Sequence, residues 1–435
     1  MKPTSMSSTI ERTILPAAIG LGLLLHCYAA SRTWIGGDEA HLLRLGAALS
    51  SQGKIIPFAK LLGGGGTNPG ILLQLFFGVP MSLVEHFRSP MILVVIMHCT
   101  AYALIASILK EAFDQQIVLA FTVLYWLSPW RIYYGSLLWE PAFIYLPAAI
   151  QFWSCYKSRK TSSFVHSMFC IASIVWAVQI HNSAIILLLS TGLLFWKKQI
   201  KLHWGGVICG VLLGGLTLIP SIVAVIGGNL QYDTQQSQGF LGKGLLTVAP
   251  TLKGVLYWFI LGAVEMVRNL KETSFAQASH PIAIYILQGL CIVTVIPSIF
   301  ASWWYYRPLW KFKGKKIEEH ELTPQRQWIR GYTISMLVSL VCAAALSPIV
   351  LQGWMVVIVL SSAVIPVSVW ECYHLSVKLS PYKLTLGIVL YALFEIAIML
   401  ILVSGMPIFN RTSDLPDAID PHRDSTLIHY IPPLN

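Results

Sequence analysis

Runs of about 16 to 22 apolar residues recur from one end of this chain to the other, each close to the roughly 20 residues that a helix needs to cross bilayer hydrocarbon. Lipid offers the backbone no hydrogen bonds, so a crossing segment must be a helix or part of a closed barrel. The runs are too long and too uniformly apolar for barrel strands, whose residues alternate between lipid and lumen. With 55% hydrophobic and 11% charged residues over 435 positions, a soluble enzyme and a disordered chain are excluded as well. The expected fold class is all-α: a polytopic transmembrane helical bundle.

About 13 apolar segments are centred near residues 22, 77, 100, 126, 149, 173, 190, 215, 260, 292, 340, 362 and 394. The net charge of +11 comes from basic residues at span ends, among them Lys157, Arg159 and Lys160; Lys197, Lys198 and Lys201; and Arg307, Lys311, Lys313, Lys315 and Lys316. These read as cytoplasmic topology signals and not as a nucleic-acid surface. Keeping all three clusters cytoplasmic requires that two segments stay uncrossed. The short runs 69–86 and 253–268 are the candidates, the second because it also carries Lys253, Glu265 and Arg268. Eleven or 13 crossings both place the polar tail outside. The first run, following Lys2 and Arg12, reads as a retained helix, since Tyr28 sits where a signal-peptide cleavage site wants a small residue. No internal repeat is visible, and the eight cysteines show no CxxC spacing, so neither a disulfide framework nor a zinc site is expected.

Three parts are expected: a membrane module over 1–226 with an outer loop at 31–68, further membrane helices over 227–405 with an outer loop at 227–252 and a basic loop at 303–330, and a polar non-cytoplasmic tail over 406–435. The 31–68 loop contains an amphipathic helix signal, with Leu42, Leu45 and Leu49 on one face and Asp38, Glu39, His41 and Arg44 supplying polarity. Gly63 to Gly66 follow, and then Thr67-Asn68-Pro69, with the proline near an expected helix start.

Acidic residues are scarce at 19, which draws attention to Asp38-Glu39 just beyond the first span and to Glu140-Pro141. Helix capping alone would explain each, because carboxylates favour helix N-termini and proline favours the first helical position. Their order and surroundings carry more. Gly37-Asp38-Glu39-Ala40-His41 after the first span, then Asn68-Pro69 entering the next apolar run, then Ser128-Pro129, Tyr133-Tyr134 and Glu140-Pro141, form one pattern over about the first 160 residues.

That pattern resembles the GT-C superfamily of polytopic glycosyltransferases, in the branch of protein O-mannosyltransferases and aminoarabinose transferases. The chain departs from it at Asn68-Pro69, where members often carry Pro-Pro, and at Glu140, where Asp is common. The resemblance implies transfer of a sugar, with inversion, from a polyprenyl-phosphate donor to a lipid, glycan or protein acceptor at the non-cytoplasmic face. Asp38 is the expected general base, with Glu39 and Glu140 as its catalytic neighbours. Arg131, Lys54 and Lys60 are candidates for the donor phosphate, and His41, Asn68, Tyr133 and Tyr134 for the substrate cavity. No DxD or other acidic cluster supplies a metal cage, so no cofactor is expected. The short loops favour a bacterial inner membrane with the site facing the periplasm. A transporter or flippase is the alternative, resting on Glu395 near the middle of a span, where an isolated acid costs a few kcal/mol. Gln179, His181 and Asn182 form a similar polar break, expected to serve helix or loop contacts.

Overall fold

Chain segments this apolar fold by hiding their backbone in helices and their few polar groups in the bundle. The computed structural model describes residues 10–33, 35–61, 67–227, 248–273, 275, 279–307, 323–347, 351–372, 380–405 and 420–421. Among the described residues, six helices are long and apolar enough to cross a membrane: Arg12–Ser31, Ser89–Ala112, Trp204–Ile226, Pro281–Tyr306, Pro324–Leu346 and Tyr382–Ser404. Shorter apolar helices fill the spaces between them, namely Leu72–Leu83, Gln115–Trp126, Phe164–Ile180, Asn182–Trp196 and Val357–Trp370. Leu72–Leu83 has 12 residues. It rises only about 18 Å, short of the roughly 30 Å of hydrocarbon. Most of the polar tail and of the 227–252 and 303–330 loops lies outside the described residues.

The first span shows how composition becomes orientation. Leu21, Leu23 and Leu24 are exposed on one side, while Gly22, Leu25, His26, Ala29 and Ala30 are buried against the bundle. Trp126 packs there and donates its indole N–H to the carbonyl of Ile19 at 2.9 Å. An all-round apolar helix thus still has an inside, set by small residues and by a histidine that needs a partner.

The surface helix expected after the first span is present as Gly37–Gln52, with Leu42, Leu43 and Leu45 buried. It lies on Leu72–Leu83, and the buried Gln74 ties the two together: its amide donates to the carbonyls of Leu45 and Lys54 and accepts from the N–H of Ile56, all at 3.0 Å.

Two features differ from expectation. The outer loop contains a two-stranded antiparallel hairpin, Phe58–Leu61 with Thr67–Pro69, and the next helix begins at Leu72 and not at Pro69. The reason lies in where the backbone N–H groups go. Gly70 donates to the Ser221 hydroxyl at 2.7 Å and Ile71 to the Thr217 carbonyl at 2.9 Å, so the chain is committed to a neighbouring turn before it can coil. Gln179 completes this staple, donating to the Gly214 carbonyl at 2.8 Å and accepting from Thr217 at 2.7 Å. The polar break near 179–182 therefore anchors the outer loop.

At the other end of the bundle the basic loops converge. Glu111 bridges Lys157 at 2.9 Å and Arg159 at 2.8 Å, Lys201 donates its N–H to Ser158, and Trp328 donates to the Gln199 carbonyl. The clusters at 157–160 and 197–201 thus share one face. Tyr145–Lys157, 13 residues long, runs from the acidic Glu140 turn to this basic face. Its axial length is about 20 Å.

Candidate active site

A cavity of about 590 Å³ opens where the surface helix begins. Gly37, Asp38 and Glu39 form one wall, and Tyr133, Tyr134, Leu137 and Trp139 a second. The far wall comes from distant sequence: Lys253, Tyr257, Glu265, Arg268, Asn269, Gln352 and Trp354. Its size lies within the roughly 300–1,000 Å³ typical of small-molecule sites.

The local folding of each wall follows from its residues. Glu39 is 4% exposed and accepts the N–H of Gly36 at 3.0 Å, which closes the helix start and fixes how the first turn projects. Burial raises the Glu39 pKa, with the nearby Asp38 and Glu140 charges adding to the rise and backbone N–H groups opposing it. Asp38 thus faces the cavity from a turn held by its neighbour. The second wall begins with Ser128, whose hydroxyl caps the Pro129–Gly135 helix at the N–H of Arg131, with proline at the first position. Tyr133 and Tyr134 meet edge to face at 5.3 Å, Tyr134 and Trp139 at 6.3 Å, and Trp139 reaches Trp354 at 5.7 Å. This aromatic shelf offers flat apolar faces beside polar groups, the pairing that suits the C–H and O–H faces of a sugar ring.

Elsewhere in the lining, Lys253 donates to Gln352 at 3.1 Å, and Arg268 and Asn269 also line the cavity. Glu265 sits among them with its pKa pushed up to about 7 by burial, Lys253 pulling the other way. Its carboxylate packs against Gly353, where any side chain would collide with it. The cavity therefore brings carboxylates, two cations, amides and aromatic rings around one volume. Among the described residues, no three His, Cys, Asp or Glu side chains are grouped so as to hold a metal ion.

Asp38, Glu39, Tyr133 and Tyr134, named from the motifs, all line this cavity. Glu140 begins the turn that follows Trp139, is 3% exposed, and lies close enough for its charge to act on Glu39, although it does not line the cavity. Arg131 sits elsewhere. It is fully buried inside the bundle, donating to His26 Nε2 and to the His98 carbonyl, both at 3.0 Å, with its guanidinium over the rings of Tyr125, Trp126 and Tyr145. It clamps the tyrosine helix to the first two long spans. Lys54 lies just beyond the far end of the surface helix, whose last residue, Gln52, is about 21 Å from Asp38 along the axis. Lys60 pairs in register with Asn68 in the hairpin, and its side chain lies outside the described residues. Asn68 is buried and donates to the Ile180 carbonyl at 3.2 Å, while His41 is partly exposed one turn beyond Asp38; neither lines the cavity.

The far wall was the part that motif reading did not supply. Its only sequence signal was Lys253, Glu265 and Arg268 interrupting an apolar run, which marked that segment as a poor span.

No family model matches the chain, and no curated protein matches it in sequence. Among solved structures it is similar to the crystal structure of ArnT from Cupriavidus metallidurans bound to undecaprenyl phosphate, with a TM-score of 0.52 and 11% identity over 93% of this chain and 74% of that one. The likeness is one of fold, a polytopic bundle of membrane helices of the all-α class expected from the sequence.

Proposed function

We propose that the chain is a membrane glycosyltransferase that moves a sugar from a polyprenyl-phosphate donor to a hydroxyl acceptor. The observation that carries this reading is one cavity lined together by Asp38, Lys253 and Arg268 within an ArnT-like fold. The undecaprenyl phosphate in the ArnT crystal structure supports a lipid phosphate as the carrier.

In this mechanism the donor phosphate lies against Arg268 and Lys253, and the sugar ring against the Tyr133, Tyr134 and Trp139 shelf. The Asp38 carboxylate accepts the proton of the acceptor hydroxyl as its oxygen attacks the anomeric carbon. The bond from that carbon to the phosphate oxygen breaks, its electron pair leaves with the phosphate, and the cations stabilise the charge that develops there. One displacement inverts the anomeric centre. Glu39 keeps the helix start in place, and Glu140 adds negative potential behind it. Arg131 holds the tyrosine wall, so the phosphate role that its place beside the motif suggested passes to Lys253 and Arg268. The basic face at the opposite end of the bundle supports a cavity on the non-cytoplasmic side. A lipid, glycan or protein hydroxyl satisfies the same chemistry as acceptor.

The test is Asp38→Asn, an isosteric change that removes the base. Mass spectrometry of cell-surface glycans should show product formation falling by about 10²- to 10⁴-fold, with the protein still inserted and abundant. Undiminished product would remove Asp38 from the mechanism.

A further inference from the structure

A second cavity, of about 250 Å³, lies away from the first and shares no lining residue with it. Its walls are mostly apolar, with Leu124 from the Gln115–Trp126 helix and Leu384, Ile388 and Tyr391 from the last span, yet Glu371 and Lys383 also line it. Among the described residues, neither of these charged groups forms an ion pair, with the other or with any third residue. A carboxylate and an ammonium therefore face one small volume without meeting. Lys383 is exposed and Glu371 partly exposed where they line this cavity, so both are open to a headgroup that bridges them.

The surroundings identify the bridging chemistry. On the last span Leu386, Leu390 and Leu393 are exposed large apolar side chains, the signature of a surface that faces lipid. The cavity is smaller than the roughly 300–1,000 Å³ that encloses a whole drug-sized molecule, so it suits a headgroup whose chains run outside it. We propose that this cavity binds the headgroup of an aminophospholipid, with the phosphate on Lys383 and the primary ammonium on Glu371. A zwitterion satisfies both charges and adds none. An anionic glycerol headgroup would satisfy Lys383 and leave Glu371 facing negative charge. A choline headgroup has no N–H to donate to Glu371.

The full-length protein is placed in nanodiscs of equal phosphatidylethanolamine, phosphatidylcholine and phosphatidylglycerol, and the lipids retained after mild delipidation are counted by native mass spectrometry. Retention of phosphatidylethanolamine should exceed that of either other lipid by about tenfold, the worth of one charge-assisted hydrogen bond made or missed. Glu371→Gln should remove the preference over phosphatidylcholine, and Lys383→Gln should lower retention of both alike. The wild-type competition needs no variant to fold: equal retention of the three lipids, or a preference for phosphatidylglycerol, overturns the proposal. So does a Glu371→Gln protein that keeps the preference.

Discussion

Glu265 carries a consequence that one residue can test. Its folded pKa of about 7 stands above the ordinary 4.5 because burial disfavours the charge. Between those values the folded state holds a proton that the unfolded chain has released, so stability falls as pH rises through that window and levels off above it. Glu39 is displaced in the same direction and adds to the slope. Thermal unfolding in nanodiscs across that range should show a falling midpoint, and Glu265→Gln should flatten the curve; an unchanged slope would mean that Glu265 is ionised in the fold. The residue scale also shows what was readable in advance. Asp38, Glu39, Tyr133 and Tyr134 stand in short motifs, and the fold places all four at one cavity. Arg131 belongs to the same motif but is two positions from Tyr133, about 200° around a helix, and so points into the bundle while the tyrosine lines the site.

Elements explain what the motifs left out. Apart from Lys253 on the Val248–Leu256 helix, the far wall is mostly short turns of 3-10 helix and irregular chain, Gly262–Val267, Asn269–Glu272 and the stretch before Met355, and such pieces have no periodicity to detect. They are positioned by what packs beneath them. Gly262 has φ +55, and a side chain there would strike the carboxylate of Glu395 from the last span. The acid that suggested transport in the sequence thus abuts the backbone of the cavity wall. Gly262→Ala meets both strain and collision, and should cost about 1–3 kcal/mol of stability together with much of the activity. Glu395→Gln preserves shape, so a transferase should retain most of its product. Loss of product in a well-inserted Glu395→Gln protein would return weight to the transport reading.

At the scale of the whole molecule the two ends are chemically opposite. Gly405, closing the last span, lies against Thr273 beside the cavity wall, whereas Lys157, Arg159, Lys197 and Lys198 mark the other end. An alkaline-phosphatase fusion after residue 405 should therefore be active outside the cytoplasm, and one placed at 198 inactive; the reverse pattern would invert the topology. The helical class and the places of the long spans were legible because lipid imposes a length rule on sequence. The anchoring of the hairpin was not, since Asn68 and Gly70 bond to partners more than 100 residues away. The first span, with leucines outward, ends at Ser31, and the helix bearing Asp38 begins at Gly37. So short a tether leaves little slack between a membrane anchor and the reacting carboxylate. Turnover should accordingly peak at one acyl-chain length and decline in thinner or thicker bilayers as the anchor tilts or sinks, a dependence that a series of phosphatidylcholine chain lengths would expose.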